Sequence, residues 1–247
     1  MNRWIALLAL ALPASAMADM TGVYQLIDEH RKDAGTLTIQ MKDEQRIRYD
    51  MQGAGGPGQS GSTLLISGKL YMVTPQGEVM DMDMMGAVAG AFMTPQARQA
   101  MQKAPKVEAA GRSETVAGIK GEVWRWTEGR HAGEVVLSAD PRARQLGRAM
   151  EQLGDRMERA FGDAQASLAY RQLRDAPALR GKGVLSAMET NGGGMRLLRV
   201  DEAALPAERF VLPKKPGAMA LPGLPNGLPD MNDPQMQQML RGLMQQR

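Results

Sequence analysis

"GTLTIQM" (Gly35–Met41) and "RIRYDM" (Arg46–Met51) lie close together, and both alternate strictly between apolar and polar residues. Leu37, Ile39 and Met41 share one face of an extended chain, with Thr36, Thr38 and Gln40 on the other. Ile47, Tyr49 and Met51 repeat the pattern against Arg46, Arg48 and Asp50. A period of two marks strands with one buried face, the signature of antiparallel sheet. The same texture extends outward. "YQLID" is a weaker strand before it, and "TLLIS", "KLYMVT" and "EVMDMDM" follow, separated by Ser67-Gly68 and Pro75-Gln76-Gly77, both turn chemistry. Residues 22–84 therefore read as a meander of about six strands.

Further along, residues 85–104 turn small and apolar, and Thr94-Pro95 offers a helix cap and first-turn proline ahead of "QARQAMQK". Strand texture returns over 107–138 as "KVEAAG", "SETVAGIKGEVWRWTEG" and "GEVVLS", with Trp124 and Trp126 on one face and Val123 on the other. Asp140-Pro141 then opens the clearest helix. Leu146, Met150, Leu153, Met157 and Phe161 recur at spacings of three and four, one apolar stripe closed by Gly162. A second helical stretch, "AQASLAYRQLRD", follows. "GVLSAMET" and "MRLLRVD" are two more strands joined by Asn191–Gly194, and "LPAERFVLP" closes the folded region.

The ends differ in character. Arg3, the apolar run Trp4–Leu12 and the small-x-small pattern Ala16-Met17-Ala18 form a secretory leader over residues 1–18, cleaved before Asp19. The apolar run is too short to span a bilayer, and no later segment is long and apolar enough, so no transmembrane span is expected in the mature chain. Residues 19–213 make the folded domain. Residues 214–247 are rich in Pro, Gly, Met and Gln and are expected to stay flexible, with Met236, Met239, Leu240 and Leu243 on one side of a short amphipathic stretch. The chain has no cysteine, so neither disulfides nor a lipid-modified cysteine anchor it. Losing the leader leaves 29 of the 30 basic residues against 27 acidic ones, which is no nucleic-acid footprint.

Chemistry-bearing patterns are sparse. His30 and His131 sit in charged loops without zinc-ligand spacing, and no nucleophile elbow occurs. Gly53, Gly55 and Gly58 fit the dinucleotide fingerprint only by letter, since no helix follows and the flanks are antiparallel strands. The chain therefore reads as no enzyme, with no cofactor. Twenty-one methionines stand out. Met80, Met82 and Met84 alternate with Asp81 and Asp83. Thioethers suit Cu(I), which makes a metal site one reading. The other is an adaptable apolar lining, and it is favoured because methionine also replaces Leu and Ile at Met41, Met51, Met150 and Met157.

"SGKLYMVTPQGEVMDMDM", "SETVAGIKGEVWRWTEG" and "ALPAERFVLPKKPG" together resemble the DUF4412 family of exported bacterial proteins. Lys69–Pro75, Val116–Trp126 and Leu205–Pro213 match three of its motifs in order. The family often carries Cys where this chain has Gly121, so no thiol role transfers. The pattern is also similar to LolA/LolB-like lipoprotein-carrier folds. The resemblance implies an α+β domain: a curved, mostly antiparallel sheet, a half-open barrel, with helices packed on its concave face. From the residues, the cavity candidates are Leu37, Ile39, Met41, Ile47, Tyr49, Met51, Met80, Met82, Met84, Leu146, Met150, Leu153 and Met157. The functional expectation is a periplasmic carrier-like protein for a hydrophobic ligand such as an acyl chain or lipid moiety. The alternatives are an envelope accessory module that docks a protein partner through its tail, and a methionine-based copper handler.

Overall fold

The computed structural model describes residues 19–30, 33–53, 61–82, 106–128, 131–161 and 180–216. These form an open eleven-stranded antiparallel sheet and one long helix, an α+β architecture. The leader, the segment 83–105, the second helical stretch after Gly162 and the tail from Gly217 lie outside the described residues.

The expected meander is present. Strands β1 (Met20–Ile27), β2 (Asp33–Asp43), β3 (Arg46–Gln52), β4 (Gly61–Ile66), β5 (Lys69–Val73) and β6 (Val79–Asp81) pair successively. The β2–β3 turn is fixed by the Asp43 carboxylate, which accepts the Gln45 amide at 2.9 Å. The β4–β5 turn places Ser67 and Gly68 at φ 50° and 80°. Two consecutive positive φ angles give the tight twist a two-residue hairpin needs.

Three expectations about these strands change. β1 is no weak strand: it begins at Met20 and occupies the middle of the sheet, paired with β2 on one side and with the last strand on the other. β6 is only three residues long rather than running through Met84. The ladder ends with Tyr71 opposite Asp81 although β5 continues to Lys69, because the backbone leaves the extended conformation at Met82, which is already helical. The third concerns β7 (Lys106–Val116) and β8 (Ile119–Glu128). Gly111, at φ 70°, does not end a strand but holds a bulge inside β7, where the register skips between Ala109 and Ser113. The real break is Ala117-Gly118, at φ 50° and 76°, another two-residue turn.

β9 (His131–Ser138), the helix α1 (Pro141–Phe161), β10 (Gly183–Glu189) and β11 (Gly194–Asp201) complete the order β6-β5-β4-β3-β2-β1-β11-β10-β9-β8-β7. Asp140 caps α1, accepting the Arg142 amide at 2.9 Å, and the Arg142 guanidinium bonded to it holds its carboxyl below the ordinary range. Arg196 of β11 meets Glu114 of β7 at 2.8 Å. Four strand spacings separate these strands, about 19 Å in a flat sheet. No arginine–glutamate pair spans that distance, so the sheet curls strongly between them.

β10 and β11 pair only over Ser186–Met188 and Gly194–Arg196. Beyond this seam the strands part. The Tyr24 hydroxyl crosses the gap and donates to the Val184 carbonyl at 2.9 Å. α1 packs against the parted end. Gly147 and Gly183 let it approach so closely that a Cβ on Gly183 would lie 1.7 Å from the Ala143 carbonyl oxygen.

After β11 the chain becomes a strap. The Asp19 carboxylate accepts the Leu205 amide at 2.6 Å, and Lys42 Nζ donates to the Leu205 carbonyl at 3.0 Å and to Asp19 at 3.1 Å. A 3-10 turn, Ala207–Phe210, buries Phe210, and Arg48 donates to the Arg209 carbonyl. Lys214 then pairs with Glu78 in the β5–β6 turn. The strap thus crosses the first half of the sheet from β1 to the β5–β6 turn.

Candidate binding face

Cross-strand register arranges the apolar face of β1–β6 in three rows. The first is Met20, Met41, Ile47, Leu65 and Leu70. The second is Gly22, Ile39, Tyr49, Thr63, Met72 and Met80, and the third is Tyr24, Leu37, Met51 and Gly61. Strand alternation makes each row one band of side chains.

α1 lies across the first two rows. Leu146 fills the space that the absent Gly22 side chain leaves: a Cβ there would sit 2.5 Å from Leu146 Cδ2. The Tyr49 hydroxyl donates to the Ala149 carbonyl at 2.7 Å and is buried. Burial pushes the hydroxyls of Tyr24 and Tyr49 well above the ordinary tyrosine range, so both remain neutral donors.

The result is a gradient of packing. Ile39, Ile47, Met82 and Leu146 have no exposed surface, and Met41, Tyr49 and Met150 are also buried in the same cluster. Leu37, Met72, Leu153 and Met157 are partly buried against it, and Met80 is half-buried. Met51 is 43% exposed. The residues singled out from the sequence thus divide into a floor filled by side chains and a rim that opens toward Met51. Met84 lies outside the described residues. Met80 faces Met72 across the β5–β6 ladder, whereas Met82 is fully enclosed in the floor.

Other regions were not singled out by sequence. Trp126, Val135, Leu137 and Val184 form a second buried cluster, joined by Trp124, Ala187 and Met195. Val123 and Val136 face the main core instead, so β9 is covered on both sides. Beside the start of α1, a cleft of about 380 Å³ is lined by Ser113, Lys120, Glu122, Ser138, Asp140 and Lys182, among others. Lys182 Nζ bonds Glu122 at 2.6 Å and lies 5.0 Å over the Trp124 ring, and that bond holds the Glu122 carboxyl below its ordinary range. The lysine and glutamate stand 60 residues apart, so no local spacing links them. His30 and His131 are exposed at loop and strand ends. Among the described residues, no set of three His, Cys, Asp or Glu converges on a metal position. No described helix is long and apolar enough to cross a membrane.

No protein-family model matches the chain, and no curated protein matches it. Among solved structures it is similar to MucB in complex with MucA(peri), at 13% identity and a TM-score of 0.37, covering 78% of this chain and 53% of that one. It is similar to MucB alone at 12% identity and 0.37, covering 80% and 58%. A third likeness is to PNGF-II, at 9% identity and 0.38, covering 78% of this chain and 29% of that one. The chain spans little more than half the length of the MucB chains. Scores of this size do not establish a common fold.

Proposed function

We propose that this is an exported, periplasmic, non-enzymatic binding protein that holds a hydrophobic ligand, an acyl chain or other lipid moiety, against the methionine-lined rim. The observation that carries this reading is the gradient on the α1-covered face. The floor is packed, Leu37, Met72, Met80, Leu153 and Met157 are only partly buried around it, and Met51, opposite Leu37, is exposed. Thioether side chains conform to irregular apolar surfaces at little strain, which suits a ligand of variable shape. The leader pattern at residues 1–18 supports export.

Native mass spectrometry of the purified mature protein tests this, together with titration of a fluorescent fatty acid. Uptake of one probe per chain is expected. Met51→Glu places a charge beside the apolar chain and is expected to weaken uptake about tenfold, equivalent to about 1.4 kcal/mol. A protein that carries no lipid and takes up no probe refutes the reading.

A further inference from the structure

The chain has no cysteine, so all of its oxidisable sulfur is thioether. The fold sorts the described methionines by access. Met20 and Met82 have no exposed surface, Met41 keeps 3% and Met150 6%, and all four belong to the packed floor. Met72, Met80 and Met157 are half-buried. Among the described methionines Met51 alone is exposed, at 43%.

Register explains the difference. Met51 stands opposite Leu37 on β2 but opposite Gly61 on β4, so the β4 flank offers it no side chain to pack against. It also lies one row beyond Tyr49, whose hydroxyl reaches the Ala149 carbonyl of α1. The helix therefore covers the row of Tyr49 and leaves the sulfur of Met51 open to small solutes.

A thioether attacks a peroxide at oxygen. The S–O bond forms as the O–O bond breaks, the sulfur loses two electrons, and hydrogen peroxide leaves as water. The product is a polar sulfoxide that dedicated reductases convert back to the thioether. In the floor this group would be cut off from water at a high cost. At Met51 water solvates it, so the fold tolerates the change.

We propose that Met51 is a reversible oxidation site, and that its sulfoxide turns the exposed end of the apolar face polar and lowers affinity for the hydrophobic ligand. The oxidation site rests on the burial pattern and the strand register, whereas the effect on affinity rests also on the binding function proposed above. Setting a sulfoxide against an acyl chain weakens binding about tenfold, near the low end of the cost of burying a polar group without a partner.

The test treats the folded mature protein with hydrogen peroxide and follows the sulfoxide at each methionine by peptide mass spectrometry. Met51 is expected to oxidise about tenfold faster than Met41 or Met82, with circular dichroism unchanged. The two sulfoxide reductases, one for each epimer, then restore it, two thiols of the reductant becoming a disulfide as the oxygen leaves as water. The second readout is the fatty-acid titration of the reduced, oxidised and repaired protein, with Met51→Leu carried through the same treatment. Whatever the affinity of that variant, it is expected not to change with peroxide. Oxidation of Met51 no faster than that of Met82, or a sulfoxide that the reductases leave in place, overturns the oxidation site. Unchanged fatty-acid affinity after oxidation of Met51, or an equal loss in Met51→Leu, overturns its effect on binding. Oxidation and repair at Met51 with no fatty-acid uptake in any state supports the site and refutes the ligand-binding function instead.

Discussion

Replacing Gly183 with alanine tests the geometry that seats the helix on the sheet. The new Cβ would lie 1.7 Å from the Ala143 carbonyl oxygen, 2.1 Å from its carbon and 2.8 Å from the Arg144 nitrogen, whereas ordinary contact begins near 3.4 Å. All three atoms are backbone in the first turn of α1, so no rotamer relieves the overlap. Either the helix retreats by more than 1.5 Å or the end of β10 does, by the difference of these distances. Retreat of the helix loosens Leu146 over Gly22 and the Tyr49–Ala149 bond. Retreat of β10 disturbs the Tyr24–Val184 bond. Overpacking typically costs 1–3 kcal/mol, and a rigid backbone clash belongs at the upper end, about 3 kcal/mol. With a urea m-value of about 2 kcal/mol/M, the midpoint falls by about 1.5 M. Gly147→Ala is the internal comparison. Its Cβ meets Gly183 Cα at 2.9 Å, a milder overlap, and alanine adds helix propensity of about 1 kcal/mol, so its midpoint moves by less than about 0.5 M. A Gly183→Ala midpoint within about 0.3 M of the parent would falsify the close approach of α1 to β10.

Tyr49→Phe removes one buried hydroxyl donor and is expected to cost about 1 kcal/mol in urea unfolding, with Tyr24→Phe similar. Met82→Leu preserves volume in a filled floor and should cost less than about 1.5 kcal/mol, whereas Met82→Ala should cost about 2–5 kcal/mol. If Met80, Met82 and Met84 hold Cu(I), replacing all three with Leu abolishes tight Cu(I) binding, and unchanged affinity by competition titration removes that role. Asp19 is held below its ordinary 3.8, first by the Leu205 amide and then by Lys42, against the opposing cost of burial. Its contribution to stability is therefore present above the unfolded pKa and lost as pH falls through the lower folded one. Asp19→Asn should lower the melting temperature at pH 7 and narrow the gap to the parent below pH 4, and an equal gap at both pH values would contradict this linkage.

The first half of the sheet was legible because its strands alternate and follow one another through local turns. Leu37–Met41 and Ile47–Met51 announced their faces and their pairing by sequence alone. Length was less legible than presence. "EVMDMDM" alternates through Met84, yet alternation does not show where the backbone changes, and the chain leaves the ladder at Met82 while β5 still offers Leu70 and Lys69. Gly111 and Gly118 both adopt positive φ, but one makes a bulge and the other a turn, a choice set by what lies across the ladder. The central position of β1 was hidden because its second partner, β11, is distant in the chain. The same holds for the strap contacts of Asp19, Lys42 and Arg48. Of the candidate face, the residues were readable, but the division into packed floor and open rim was not, since it depends on where α1 lies.

The position of β1 also governs the order in which the molecule can assemble. Strands β2 to β6 need only their neighbours, so that half of the sheet can form by local pairing alone. One side of β1 must wait for β11, about 170 residues later in the chain, and closing so long a loop makes this pairing late in folding. Until β11 pairs, the middle of the finished sheet is an unpaired edge carrying Tyr24 and Leu26, open to mispairing with another unpaired strand. The strap, which lies still further along the chain, can lock the N-terminal end of β1 through Asp19 only after β11 has arrived.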